Sequence, residues 1–311
     1  MTTVPVAARA VGRPNDVALA YAGLFFASVC WASAFIAGKV ALAEMTPLVV
    51  GSWRYLLATA VLLPFALRAR RLAPLGDAVL PLVVMIVCGG LLYQWLFLLA
   101  LERTSATNTS LLIALNPALT ILLSPLVGER LDRRCLGGVA LALVGAATVI
   151  TKGDVTHLIG FGDKPLNQGD LLALVAAGCW ASFNLASRRV VTRLPPAIVN
   201  CIIYGVGAAA LFALAQPEQP WSQLMSATPW ALAAVAAMAV LSSVLGGQLF
   251  LVGVGTVGVN RTVVFVYLVP VLTALFSTTL LGESFHVSQA IGGGAVLAGV
   301  YWTTSGRALT H

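Results

Sequence analysis

Ten apolar stretches, each 16 to 24 residues long, dominate this 311-residue sequence: 17–38, 47–67, 79–101, 105–126, 136–151, 169–187, 196–215, 229–252, 259–281 and 288–304. Crossing a hydrocarbon layer ~30 Å thick takes roughly 20 apolar helical residues, so each stretch has the length of a membrane span. A backbone in lipid satisfies its own polar groups only as a helix or a closed barrel. Barrel strands would show as alternating segments of about ten residues, and none is present. The expectation is an all-α integral membrane protein with ten transmembrane helices. Composition agrees, with 59% hydrophobic and 9% charged residues, against about 25% charged in soluble domains. The first stretch exceeds the roughly 7–15 apolar residues of a cleaved signal, and is kept as a helix. The five cysteines lie in spans or at their edges with no paired framework and read as small core residues.

The net charge of +7 does not point to nucleic acid, because no soluble domain is left to shape a basic groove. Thirteen of the 18 Lys and Arg fall on one set of alternate loops and four on the other, leaving Arg54 inside a span. By the positive-inside rule both termini are cytoplasmic, in a bacterial inner membrane. All 11 acidic residues and the three histidines fall in tails, loops or span ends, so an intramembrane proton relay is not supported. A phosphate-binding Gly-x-x-x-x-Gly-Lys-Ser/Thr loop is missing, which excludes ATP drive within the chain. The spans hold no nucleophile with its base and no ligand cluster, so neither an enzyme with catalytic residues nor a metal or cofactor is expected.

Cys30 to Lys39 reads CWASAFIAGK, and 149 residues later Cys179 to Arg188 reads CWASFNLASR. At the same offset Pro47 matches Pro196 and Tyr55 matches Tyr204. NPALTILLSPLVGE, Asn116 to Glu129, returns as VPVLTALFSTTLLGE, Val269 to Glu283, and Gly138 and Gly145 return as Gly292 and Gly299. Each copy holds five spans. Five is odd, so the second copy enters the membrane from the opposite side, giving two inverted five-helix repeats. Secondary transporters use this plan, with a site near the midplane between repeats that rock against each other.

CWASAFIAGK, WRYLLA in the second span and the NP…LT…GERL pattern together resemble the EamA-type members of the drug/metabolite transporter superfamily, over about residues 17–304. Within it the chain is most similar to bacterial aromatic amino acid exporters. The resemblance implies a cytoplasmic tail (1–16), a first EamA-type repeat (17–152), an extracytoplasmic linker (153–168), a second repeat (169–304) and a cytoplasmic tail (305–311). It implies alternating-access export, without ATP, of small neutral metabolites, aromatic and other neutral amino acids foremost. Alternatives are efflux of organic cations and carriage of sugar phosphates or nucleotide sugars. The partners are then the small-molecule substrate and the lipid bilayer.

Polar and aromatic side chains inside spans need a reason in lipid. The candidates for substrate binding are Trp31, Tyr93, Gln94, Trp95, Asn108, Trp180, Asn184, Gln248 and Tyr267. Broad rings with a polar handle suit an aromatic side chain or a flat cation, although Tyr93 and Trp95 equally fit plain packing. Arg54, with Lys39 at a span end, is the candidate contact for an anionic group. Arg54 also fits snorkelling or backbone binding, and the second copy has Ile203 in its place. Pro117 and Pro270 are the candidate hinges, each leaving a carbonyl unpartnered, on Ile113 and Val266. Glu129 and Glu283 read as loop anchors. Glycine stripes in the fifth and tenth spans fit close packing within a monomer or between two, so monomer and homodimer both stay open.

Overall fold

The computed structural model of the protein describes residues 14–69, 74–127, 133–153, 167–257, 262 and 265–305. The terminal tails and the linker expected at 153–168 lie largely outside these residues, and Glu129 lies wholly outside. Among the described residues no strand occurs. The first half contains α1 (Pro14–Leu42), α2 (Pro47–Arg68), α3 (Val79–Val84), α4 (Tyr93–Arg103), α5 (Ala106–Ile113), α6 (Asn116–Leu123) and α7 (Arg133–Ile150). The second contains α8 (Gln168–Val190), α9 (Pro196–Ala215), α10 (Pro220–Ser226), α11 (Pro229–Ala237), α12 (Gly247–Val257), α13 (Leu268–Leu280) and α14 (Val287–Ser305).

Among the described residues seven helical runs are long and apolar enough to cross a membrane: Asp16–Leu42, Pro47–Arg68, Gly76–Arg103, Ala106–Leu126, Gln168–Val190, Pro196–Glu218 and Pro229–Gly253. Leu136–Ile150 and Leu268–Leu280 are shorter apolar helices. The remaining stretch, 288–304, forms α14, whose apolar character is diluted by Gln289 and the glycines at 292–294. Helices begin where the sequence supplies a donor-free first turn or a side-chain cap. Pro47, Pro196 and Pro229 open α2, α9 and α11. The side chain of Asn167 accepts from Gly169 N at 2.7 Å, and that of Ser105 accepts from Asn108 N at 3.0 Å.

Three features depart from the apolar pattern. The third and eighth stretches are each interrupted by a π-helical segment, Met85–Leu92 and Met238–Gly246, at corresponding places in the two halves. Such wide turns inside α-helices are common at functional sites. The fourth stretch is broken at Ala114 and Leu115, between α5 and α6. The segment between the seventh and eighth stretches contains α10, whose Trp221 packs edge-on against Trp53 at 4.8 Å.

The halves interlock by exchange. α1 packs against α11, α12, α13 and the second π-helical segment, whereas α8 packs against α3, α4, α5, α6 and the first. α2 pairs with α9 and α7 with α14. The α7–α14 contact is made by the glycine stripes: a Cβ on Gly145 would sit 2.5 Å from Gly292 O, and one on Gly299 would sit 2.5 Å from Gly138 O. In lipid, where apolar burial gives little between helices, this backbone approach supplies the packing. These stripes are therefore used inside one chain.

One end of the bundle is tied by bonds between halves. Glu44 accepts from Thr228 N and Oγ1, both at 2.6 Å. Glu283 accepts from Ala106 N at 2.8 Å and from Thr107 N and Oγ1, which makes it a loop anchor at the start of α5. Gly282 ahead of it has φ +66°, a left-handed turn that glycine adopts without strain. At the other end Arg193 meets Asp77 at 3.3 Å in an exposed pair.

Candidate functional site

Between the halves lies a cavity of about 100 Å³ whose walls come from both. One wall is aromatic. Trp180 lies 4.6 Å from Phe183 with the rings nearly parallel and 4.6 Å from Tyr93, which stacks at 6.0 Å on Phe97. Trp31 closes a second side, 5.2 Å from Phe250, with its Nε1 donating to Ser242 O at 3.2 Å. Two tyrosines at corresponding positions, Tyr55 and Tyr204, meet at 4.7 Å on the wall between them.

Beside it the wall is polar and holds the cavity's one charged side chain among the described residues, Arg54. It is 7% exposed. Its Nε donates to Ser243 Oγ at 2.9 Å and its Nη2 to Ser242 Oγ at 3.1 Å, across from the first half to the second. Its Cζ lies 5.8 Å from the Tyr55 ring centre and 6.0 Å from that of Phe97. Hydrogen bonds from a charged donor contribute about 1.5–3 kcal/mol each, which offsets only part of the cost of burying a cation. Tyr204 donates to Ser243 O at 3.1 Å. Asn200, also on the wall and 3% exposed, has an Nδ2 without a partner among the described residues.

The structure therefore brings together Trp31, Tyr93, Trp180 and Arg54 from the sequence candidates. It adds Ser242, Ser243, Asn200, Phe97, Phe183 and Phe250, which sequence reasoning missed. Ser242 and Ser243 are a hydroxyl pair in an otherwise apolar stretch, a visible signal that Gln248 in the same stretch displaced.

The other candidates lie elsewhere. Gln94 is fully buried, its side chain against Gly51 of α2, with both amide atoms unpartnered among the described residues. Trp95 packs with Tyr55, Ala208 and Leu211. Gln248 is off the cavity wall and its Nε2 has no partner among the described residues. Tyr267 packs with the cluster around Leu111 and Val300. Lys39 donates to Thr104 O at 2.6 Å, away from the cavity. Asn184 sits one step behind the wall, donating to Asn116 Oδ1 at 3.2 Å.

Asn116 lies beside the expected kink at Pro117. The carbonyl of Ile113 does lose its helical partner, but the Asn116 side chain donates to it at 2.9 Å. The carbonyl freed at the break between α5 and α6 thus has a side-chain partner, and Ile113 and Asn116 both line the cavity. Pro270 lies in the first turn of α13, just after a turn at Tyr267.

Asn108 belongs to a separate network near the tied end. Its Nδ2 donates to both oxygens of Asp170, at 3.2 and 3.3 Å, Thr104 Oγ1 donates to Asp170 at 2.6 Å, and Gln289 Nε2 donates to Asn108 Oδ1 at 2.7 Å. Asp170, at a span end by sequence, is 1% exposed. A buried carboxylate is tolerated there because three bonds satisfy it.

Similarity to known proteins agrees with this architecture. The EamA-like transporter family matches twice, over residues 18–151 and 167–305. The chain is 31% identical over 277 residues to an uncharacterized transporter of Archaeoglobus fulgidus, covering 88% of this chain and 93% of the relative. It is 24% identical over 288 residues to a probable amino-acid metabolite efflux pump of Salmonella typhimurium, covering 88% and 90%. It is 24% identical over 269 residues to an S-adenosylmethionine/S-adenosylhomocysteine transporter of Chlamydia trachomatis, covering 84% and 82%. A crystal structure 21% identical in sequence shares the fold, with a TM-score of 0.62 over 94% of this chain and 99% of that one. Two family matches that account for nearly the whole helical chain, on a bundle whose halves interlock around a shared cavity, lead to one conclusion: the chain belongs to the EamA-like transporter family and is a multi-pass membrane transporter.

Proposed function

We propose that the protein exports small metabolites, aromatic and other neutral amino acids foremost, by alternating access between two inverted five-helix repeats that together cross the membrane ten times. The observation that carries this is the aromatic cavity walled by both halves. Its volume is below the roughly 300–1,000 Å³ of pockets that hold drug-sized ligands. Loading an aromatic cargo then requires the halves to part, as alternating access demands. The exchange of α1 and α8 between halves supports the inverted arrangement. The two π-helical segments and the break before Pro117 supply places where helices bend, with Pro117 and Pro270 as the proposed hinges.

In this reading Trp31, Tyr93 and Trp180 contact the cargo and Arg54 meets its carboxylate. Gln94, Trp95, Asn108, Asn184, Gln248, Tyr267 and Lys39 support the wall or the tied end. Amino-acid cargo gains support from the Salmonella relative, a probable amino-acid metabolite efflux pump. The basic residues favour a bacterial inner membrane with both termini cytoplasmic. The test is counterflow: full-length protein in liposomes preloaded with unlabelled phenylalanine, scored for uptake of tracer phenylalanine with no ion gradient. Accumulation in the native protein and its loss in Trp180→Ala are expected. Equal uptake in protein-free liposomes would refute the reading.

A further inference from the structure

Resting on the reading of this cavity as the transport site, we infer that Arg54 makes it a site for a singly charged carboxylate on a flat apolar body, with no need for an ammonium group. A guanidinium keeps its charge and offers five N–H donors. Two of these are taken by the Ser243 and Ser242 hydroxyls. No carboxylate among the described residues lies on the cavity wall to pair the rest.

The surroundings are donor-rich. Each serine oxygen accepts from Arg54, which leaves its own O–H to donate, and the Asn200 amide carries a buried NH2 with no partner among the described residues. Guanidinium, two hydroxyls and an amide on one wall match a pair of anionic oxygens, the arrangement that gives strong charge-assisted bonds. The aromatic wall begins beside it: Phe97 lies 6.0 Å from Arg54 Cζ, and Tyr93 and Trp180 continue the row. An aryl group held there would reach Arg54 with its carboxylate.

What is lacking is equally specific. An α-ammonium would find no acidic side chain among the described lining residues, so 2-oxo and other deaminated aryl acids fit at least as well as amino acids. A flat organic cation would face Arg54 directly and be repelled. A doubly charged phosphate would find one cation where two or more are wanted.

The experiment measures direct binding of four matched probes to the full chain in lipid nanodiscs: 3-phenylpropionate, phenylalanine, 2-phenylethylamine and phenyl phosphate. Phenylpropionate is expected to equal or exceed phenylalanine, with the amine and the phosphate at least tenfold weaker. Arg54→Met should lower phenylpropionate affinity about 10- to 100-fold, the loss of one or two charge-assisted bonds, while Arg54→Lys should lie between. The methionine should be tolerated in the fold, because the corresponding position carries Ile203. The native protein's ranking of the four probes decides the matter independently of any variant.

Equal binding of amine and phenylpropionate would overturn the inference, and phenylalanine counterflow in the same preparation would then leave the transport reading standing. Arg54-dependent phenylpropionate binding without phenylalanine counterflow would support the inference and retire amino-acid export. Absence of binding by all four probes would overturn the inference outright.

Discussion

At corresponding positions 149 residues apart, the first half carries Arg54 and the second Ile203, and each is followed by a tyrosine. The tyrosines behave alike: Tyr55 donates to Gly89 O and Tyr204 to Ser243 O, each in the π-helical segment of its own half. Their neighbours do not. Arg54 crosses to the Ser242 and Ser243 hydroxyls, while the Ile203 backbone oxygen lies so close to Gly90 that a Cβ there would be 2.8 Å from it. The duplicated scaffold is kept at the π-helical segments and at the two tyrosines, and it diverges beside them at the centre. There Arg54 of the first half and Ser242 and Ser243 of the second form a polar wall together, beside aromatic residues that also come from both halves. The α7–α14 seam shows the opposite case, in which Gly145 and Gly292 face each other's backbone in like fashion.

The seam gives the largest expected effects. Gly145→Ala and Gly299→Ala each place a methyl within 2.5 Å of backbone, and thermal unfolding in detergent should show losses of about 1–3 kcal/mol or more. Gly294→Ala, with open space around it, should be near neutral. Equal effects at all three would mean that the seam is not the tight contact described.

Making the centre alike in both halves should fail in either direction. Ser243→Gly removes the acceptor of Arg54 Nε and should cost about 1–3 kcal/mol, whereas Gly90→Ser should cost a similar amount through its clash with Ile203 O. A stable, active Ser243→Gly protein would show that Arg54 is held by something else.

Asn116→Val copies the second half, where Val269 stands at this position. It strips the Ile113 carbonyl of its partner and frees Asn184, for an expected loss of about 1–2 kcal/mol. The smallest effect lies at the tied end. Hydrogen bonds from Thr228 hold the exposed Glu44 carboxyl below the usual carboxylate range. Its contribution is therefore full at neutral pH and fades as pH falls through the depressed value. The stability gap between native and Glu44→Gln protein should be present at pH 7 and close in acid.

Much of the fold was legible because lipid leaves a chain few choices: apolar length gave the helices, and repeated words gave the two halves. The side of each helix that faces the cavity was far less so. When lipid-facing and core-facing sides are both apolar, periodicity carries no direction, and polarity alone selected Gln94 and Gln248 together with Arg54. Tyr93 and Trp95, two residues apart, could not be told apart, yet one lines the cavity and the other packs behind Tyr55. The π-helical segments had no sequence mark, because widening a turn by one residue depends on what packs around it. Asn116 donates to the carbonyl that Pro117 frees, a role that residue type alone does not reveal.

The central claim is that the wall at Arg54, Ser242 and Ser243 faces a cavity that opens in turn to each side of the membrane. The most direct test replaces the five native cysteines, introduces Ser242→Cys, and follows labelling by a membrane-impermeant thiol reagent applied to either face of liposomes holding oriented protein. Labelling from both faces, slowed from both by 3-phenylpropionate, is the predicted result. Labelling from one face only, in protein that still performs counterflow, would contradict it.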